Sequence, residues 1–199
     1  MEVSEIKLIK RAKRGDQQAF AEIVERYKDK LYNVAFRMLG NRQEAEDAVQ
    51  EAFLRAYANL KTYDSSYKFT TWIYRIITNL SIDRLRKRKI DESLDAANDP
   101  DEISLYHTIS SDELTPEEEI VRSETQDEVQ SAILQLPPAY RATILLKYVH
   151  DRSVQEISEI LRIPAATVKT RLHRGREALK GILEEIMGRS NSKQKIRKV

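Results

Sequence analysis

Apolar residues in this chain follow helical rather than alternating spacing. Between Gly15-Asp16 and Gly40, the residues Phe20, Ile23, Val24, Tyr27, Leu31, Val34, Ala35 and Met38 step by three or four. A stripe of that period buries one face of an α-helix, whereas a half-buried strand needs a period of two. Only five Gly and five Pro interrupt the 199 residues, so the helices can be long. Asn41 and Glu44 form a capping-box pattern for the next helix, whose inner face is Ala45, Ala48, Val49, Ala52, Phe53, Ala56 and Leu60. A loop over 61–68 leads to a helix starting near Thr70 that buries Ile73, Ile76, Ile77 and Leu80. The expected fold is all-α.

Charge divides the chain where hydropathy does not. The net charge is only +2, yet from Ile90 to Val121 there are eleven Asp or Glu and no Lys or Arg, which leaves the remainder at +13. Two basic lobes joined by an acidic strip suit a polyanion such as nucleic acid, although solvated helix faces are charged as well. The strip has too few apolar residues to offset the entropy of ordering it. The expected organisation is therefore a helical domain over 1–90, an acidic flexible linker over 91–115 that leaves the domains without fixed spacing, a second helical domain over 116–187 and a frayed basic tail over 188–199. Thr115-Pro116-Glu117-Glu118 is the start signal of the second domain. Pro137-Pro138 and Asp151-Arg152 divide it further.

No cysteine is present, which removes disulfides and thiolate metal sites. His107, His150 and His173 lie far apart without metal-ligand spacing. The N-terminal segment has no apolar run of signal-peptide length and no stretch could span a bilayer, so a soluble intracellular protein is expected.

Ser153 and Glu156 form a further capping box, opening a short helix with Val154, Ile157 and Leu161 inward and the small Ser158 placed for close helix approach. Arg162-Ile163-Pro164 interrupts it. From Ala165 a longer helix resumes with Val168, Leu172, Gly175, Leu179, Ile182 and Ile186 on one face. Short helix, three-residue turn and longer helix form a helix-turn-helix. Lys169, Thr170, His173, Arg174 and Glu177 then point outward. A guanidinium can bridge guanine acceptors, a threonine can meet a base or a methyl group, and a lysine can hold phosphate.

Six of the chain's fourteen aromatic residues fall between Tyr57 and Tyr74: these two, with Tyr63, Tyr67, Phe69 and Trp72. Arg75, Asn79 and the run Arg84-Leu-Arg-Lys-Arg-Lys89 follow. Exposed aromatics stack on unpaired bases while nearby cations hold the backbone, a combination suited to opening DNA. Read by itself, this segment favours core packing, with Trp72 and Phe69 in a core and the basic run as a solvated helix end.

The order of these features, and the stretches GDQQAFAEIVERY, EAEDAVQEAFLRAY, KFTTWIYRIITNLSIDRLRK and LPPAYRATILLKYVHDRSVQEISEILRIPAATVKTRLHRGREALK, resemble the extracytoplasmic-function sigma factors of bacteria. Within that family the chain is most similar to the sigma-W type of bacilli. The resemblance implies a specificity subunit that binds core RNA polymerase, recognises two-part promoter DNA and serves envelope-stress genes. It implies Asp47, Gln50, Glu51 and Phe53 as contacts to the clamp helices of the polymerase's largest subunit, with the flap as a further docking site. It implies Tyr63, Tyr67, Phe69, Tyr74, Arg75, Asn79 and Arg86 as binders of the minus-ten element, Asn79 facing a flipped base and Trp72 serving as support. It implies Lys169, Thr170, Arg171, His173 and Arg174 as readers of the minus-thirty-five element, and an acidic linker that threads the RNA channel. The implied antagonist is a membrane-anchored anti-sigma factor.

No Gly-rich phosphate loop, nucleophile–base pair or ligand cluster appears, so neither an enzyme nor a cofactor or small-molecule substrate is expected. Two other readings remain: an autonomous helix-turn-helix regulator with the N-terminal block as sensor, and an enzyme tethered by its C-terminal helices.

Overall fold

The computed structural model describes residues 3–95 and 116–196, with α1 (Val3–Lys13), α2 (Gln17–Leu39), α3 (Arg42–Asn59), a 3-10 turn (Leu60–Thr62), α4 (Phe69–Asp95), α5 (Pro116–Gln135), α6 (Pro138–Tyr148), α7 (Val154–Leu161) and α8 (Ala165–Ile196). Every element among the described residues is helical. Residues 96–115, which hold most of the expected linker together with Thr115 and His107, lie outside the described residues.

The first lobe is built on α2, which packs against α1, α3 and α4. Asp16 begins α2 by accepting the Ala19 N–H at 3.0 Å, and Gly40 ends it in the left-handed region at φ 73°. On α3 the inner row Ala45, Ala48, Ala52 and Ala56 is completely buried, so small side chains bring α3 close to its neighbours. The Asn41–Glu44 box closes by half. Asn41 accepts the Glu44 N–H at 3.0 Å, but the Glu44 carboxylate pairs with Arg88 of α4 at 2.5 Å. Helix α1, which the sequence reading leaves without an element, buries Leu8, Ile9 and Ala12 against this lobe.

The second lobe packs α8 on α5, α6 and α7 around Ile144, Leu145, Leu146, Ile157, Ile160 and Val168. A close approach of α8 to α6 occurs at Gly175, where a Cβ would stand 3.0 Å from Ile144 Cγ1. Ser158 donates its hydroxyl to the Ile163 carbonyl at 2.6 Å and fixes the turn. Gly175→Val is therefore expected to overpack the α6–α8 contact and cost about 1–3 kcal/mol. Thermal denaturation of the variant checks this, and an unchanged melting temperature would contradict it.

Two boundaries move. Helix α4 continues to Asp95, beyond the expected end at 90, and α8 continues to Ile196, where a frayed tail over 188–199 is expected. No proline stops either helix, and a lone Gly188 costs a helix only about 1 kcal/mol.

The lobes also pack on one another, through α4 against α6 and α7 and through α2 against α5 and α6. Arg141 of α6 is buried and donates to the carbonyls of Met38, Leu134 and Leu136, closing the C-terminal ends of α2 and α5 at once. Burial, with Arg88 nearby, pushes this guanidinium down to about 10, so it stays charged at neutral pH. Gln130 exchanges hydrogen bonds with Arg37 at 3.3 and 3.4 Å. The two lobes, for which the sequence predicts no fixed spacing, are in contact in this structure.

Candidate nucleic-acid interface

The helix-turn-helix forms as the sequence reading expects. Ser153 and Glu156 complete their capping box, and Arg162 ends α7 in the left-handed region at φ 52°, its N–H donating to the Ser158 carbonyl. With Val168 and Leu172 buried, α8 turns Lys169, Thr170, His173 and Arg174 to the solvent, while Arg171 is half-buried. Thr170 donates to the Ala166 carbonyl at 3.1 Å, so its methyl group is free to face outward. This row has the length and chemistry to enter a major groove.

The aromatic segment divides. Tyr63, Phe69 and Tyr74 are buried; Phe69 lies edge-on to Tyr27 and Tyr63, and Trp72 tilts against Tyr63 and Phe69. Tyr67 is 52% exposed, and Asn79 and Arg86 are exposed on α4. Tyr74 is covered by the second lobe, with the His150 ring edge-on at 5.4 Å and the Arg152 guanidinium over its face at 5.2 Å. Arg75 donates to the Glu159 carbonyl at 2.7 Å, and Lys68 pairs with Glu156 at 2.9 Å. Three groups at and just before the N-terminal part of α4 are thus held by α7 and the turn that precedes it.

Two family models match the chain, Sigma-70 region 2 over residues 23–90 and Sigma-70 region 4 over 126–179. The sequence is 52% identical to the ECF RNA polymerase sigma factor SigW of Bacillus subtilis over 94% of this chain and 100% of that protein. The chain belongs to the ECF RNA polymerase sigma factors. It is also 32% identical to the RNA polymerase sigma-H factor of Pseudomonas aeruginosa, over 90% of this chain and 94% of that one. Among solved structures its fold is similar to CnrH, determined in complex with the cytosolic domain of CnrY, at a TM-score of 0.65 and 22% identity, covering 92% and 99% of the two chains.

On the sigma factor's α3, Asp47 and Gln50 are exposed, and Asp47 accepts from Gln43 at 3.3 Å. Glu51 is half-buried and pairs with Arg84 at 3.1 Å and Arg55 at 2.6 Å, which hold its carboxyl below the usual range, Arg84 contributing most. Phe53 is only 8% exposed and belongs to the core. Leu54 of α3, which the sequence reading passed over, is 71% exposed, as Tyr57 of the same helix is in part. The position of Leu54 seven residues after Asp47, on the same outer stripe, was the available signal.

Arg174→Ala is expected to weaken promoter binding by about 1–3 kcal/mol and to relax preference at one upstream position. Binding to a set of singly substituted promoters checks this; equal loss on all of them would make Arg174 a phosphate contact.

Proposed function

We propose that this sigma factor binds core RNA polymerase through the outer stripe of α3, reads the minus-thirty-five element with α8, and captures opened bases of the minus-ten element with the 61–68 loop and α4. The observation that carries the reading is the exposed row Lys169, Thr170, His173 and Arg174, on a helix whose opposite face is seated in a helix-turn-helix. Tyr67, Asn79 and Arg86 supply a stacking ring, an amide and a cation on the other lobe. The factor acts without catalysis of its own.

Its place is the cytoplasm, with envelope-stress genes as its targets and a membrane-anchored anti-sigma factor as antagonist. No helix among the described residues is long and apolar enough to cross a membrane. Run-off transcription by core polymerase on fragments of the host genome tests the function. Transcripts from defined start sites that depend on this protein are expected, and their absence would remove the reading.

A further inference from the structure

The loop between the 3-10 turn and α4 is held in shape from an unexpected direction. Lys13, the last residue of α1, donates from Nζ to the Tyr63 carbonyl at 2.7 Å, and its ammonium lies 5.7 Å from the Tyr63 ring centroid. Tyr63 in turn donates its hydroxyl to the Tyr67 carbonyl at 2.5 Å. Between them, Asp64 accepts the Ser66 N–H at 2.9 Å, and the Tyr67 N–H returns to the Asp64 carbonyl at 3.3 Å. Tyr63, Asp64, Ser66 and Tyr67 form one hydrogen-bonded loop, which Lys13 braces at the Tyr63 carbonyl. Its inner member, Tyr63, is 3% exposed and wedged against Phe69 and Trp72; its outer member, Tyr67, is 52% exposed and lines, with Arg75, the cleft facing Ser158 and Glu159.

We infer that Lys13 is a positioning residue for base capture, setting the minus-ten loop through Tyr63 so that Tyr67 stands where an unpaired base can meet it. This rests on the proposed reading that the loop meets opened DNA. Tyr63 then serves as the strut between brace and reader rather than as a DNA contact. A charged donor on a carbonyl is a strong contact, and binding groups need placement within about 0.5 Å, so losing the brace loosens the reader without dismantling the core. Helix α1 keeps its own apolar anchors, Leu8, Ile9 and Ala12.

The test uses holoenzyme and a pool of single-stranded DNA randomised over six positions, sequenced before and after binding. Wild-type holoenzyme enriches particular bases, and Tyr67→Ala marks the position read by the loop. Lys13→Met is expected to lower enrichment at that same position roughly fivefold, the lower end of what one base contact is worth. Lys13→Arg restores it, while melting temperature and polymerase affinity stay at wild-type values. Tyr63→Phe, which removes the hydroxyl alone, produces the same positional loss and serves if Lys13→Met proves unstable. Wild-type enrichment in both Lys13→Met and Tyr63→Phe, with Tyr67→Ala altered, overturns the positioning role and leaves the loop as reader. Unaltered enrichment in Tyr67→Ala overturns the reading of the loop itself. A uniform loss at all positions with a lowered melting temperature makes Lys13 merely structural and also overturns the inference.

Discussion

Replacing Asp47 by lysine together with Leu54 by aspartate is expected to cost this sigma factor about a hundredfold or more in affinity for core polymerase, with helix content unchanged. Asp47, Gln50 and Leu54 are exposed and spaced by three and four, so they form one outer stripe of α3 while the alanine row faces inward. An exposed leucine flanked by a carboxylate and an amide has the form of an interface centre with a polar rim. Losing such an anchor and reversing its neighbour's charge is worth about 3 kcal/mol, which is the stated factor. Glu51 is a poorer probe, because its carboxylate joins α3 to α4 through Arg84 and its loss disturbs the lobe. Competition with labelled wild-type factor for core polymerase measures the effect, and undiminished affinity would move the docking surface elsewhere.

Glu156→Lys is expected to open the free protein, raising the distance between labels on the two lobes and its affinity for single-stranded DNA. One oxygen of Glu156 accepts the Ser153 N–H at 3.0 Å, closing the cap of α7, and the other holds Lys68 of the first lobe at 2.9 Å. These bonds, chiefly the one from Lys68, pull the carboxyl down to about 2. The exposed ion pair alone is worth under about 1 kcal/mol. Reversal also removes the carboxylate half of the capping box, while the Ser153 hydroxyl keeps the backbone N–H of residue 156, and it sets two lysines face to face. Acid acts on the same seam in two steps. His150 lies between Tyr74 and Arg152, and burial, with Arg152 and Arg37 near and Asp151 opposing them, pushes its imidazole down to about 4. A depressed value means the closed state holds a neutral ring, so closure weakens as pH falls from about 6.5 towards 4. The contribution of Glu156 is present above about 4.5 and is lost only as pH approaches 2. Inter-lobe energy transfer that falls between pH 6.5 and 4 in wild type, and does not in His150→Gln, is the expected pattern. Transfer that is flat with pH, or unchanged in Glu156→Lys, would contradict it.

The long helices were legible because their signals are local. Asp16 and Gly40 bracket α2, and the Ser153–Glu156 box with Pro164 sets the helix-turn-helix, each through contacts within a few residues. What the sequence concealed depends on distant partners. Buried tyrosines and reading tyrosines are the same residue type, and only packing against Tyr27 and Trp72 sends Phe69 and Tyr63 inward while Tyr67 faces out. Phe53 follows the inner period of α3 as well as the family's docking motif, and burial assigns it to the core. Closure of the lobes relies on Arg141 reaching Met38 across 103 residues, for which no periodic pattern exists.

Lys68 of the loop and Tyr74 and Arg75 of α4 are engaged by the second lobe. Binding to core polymerase is expected to separate the lobes and stabilise opened bases. Gel-shift titrations of the free protein and of its holoenzyme, on one promoter duplex and one random duplex at physiological salt, test this directly. The free protein should bind both duplexes with similar, salt-sensitive weakness, while holoenzyme should favour the promoter by about a thousandfold or more and form open complexes. Tight, sequence-selective duplex binding by the free protein would contradict the account and return the chain to the class of autonomous regulators.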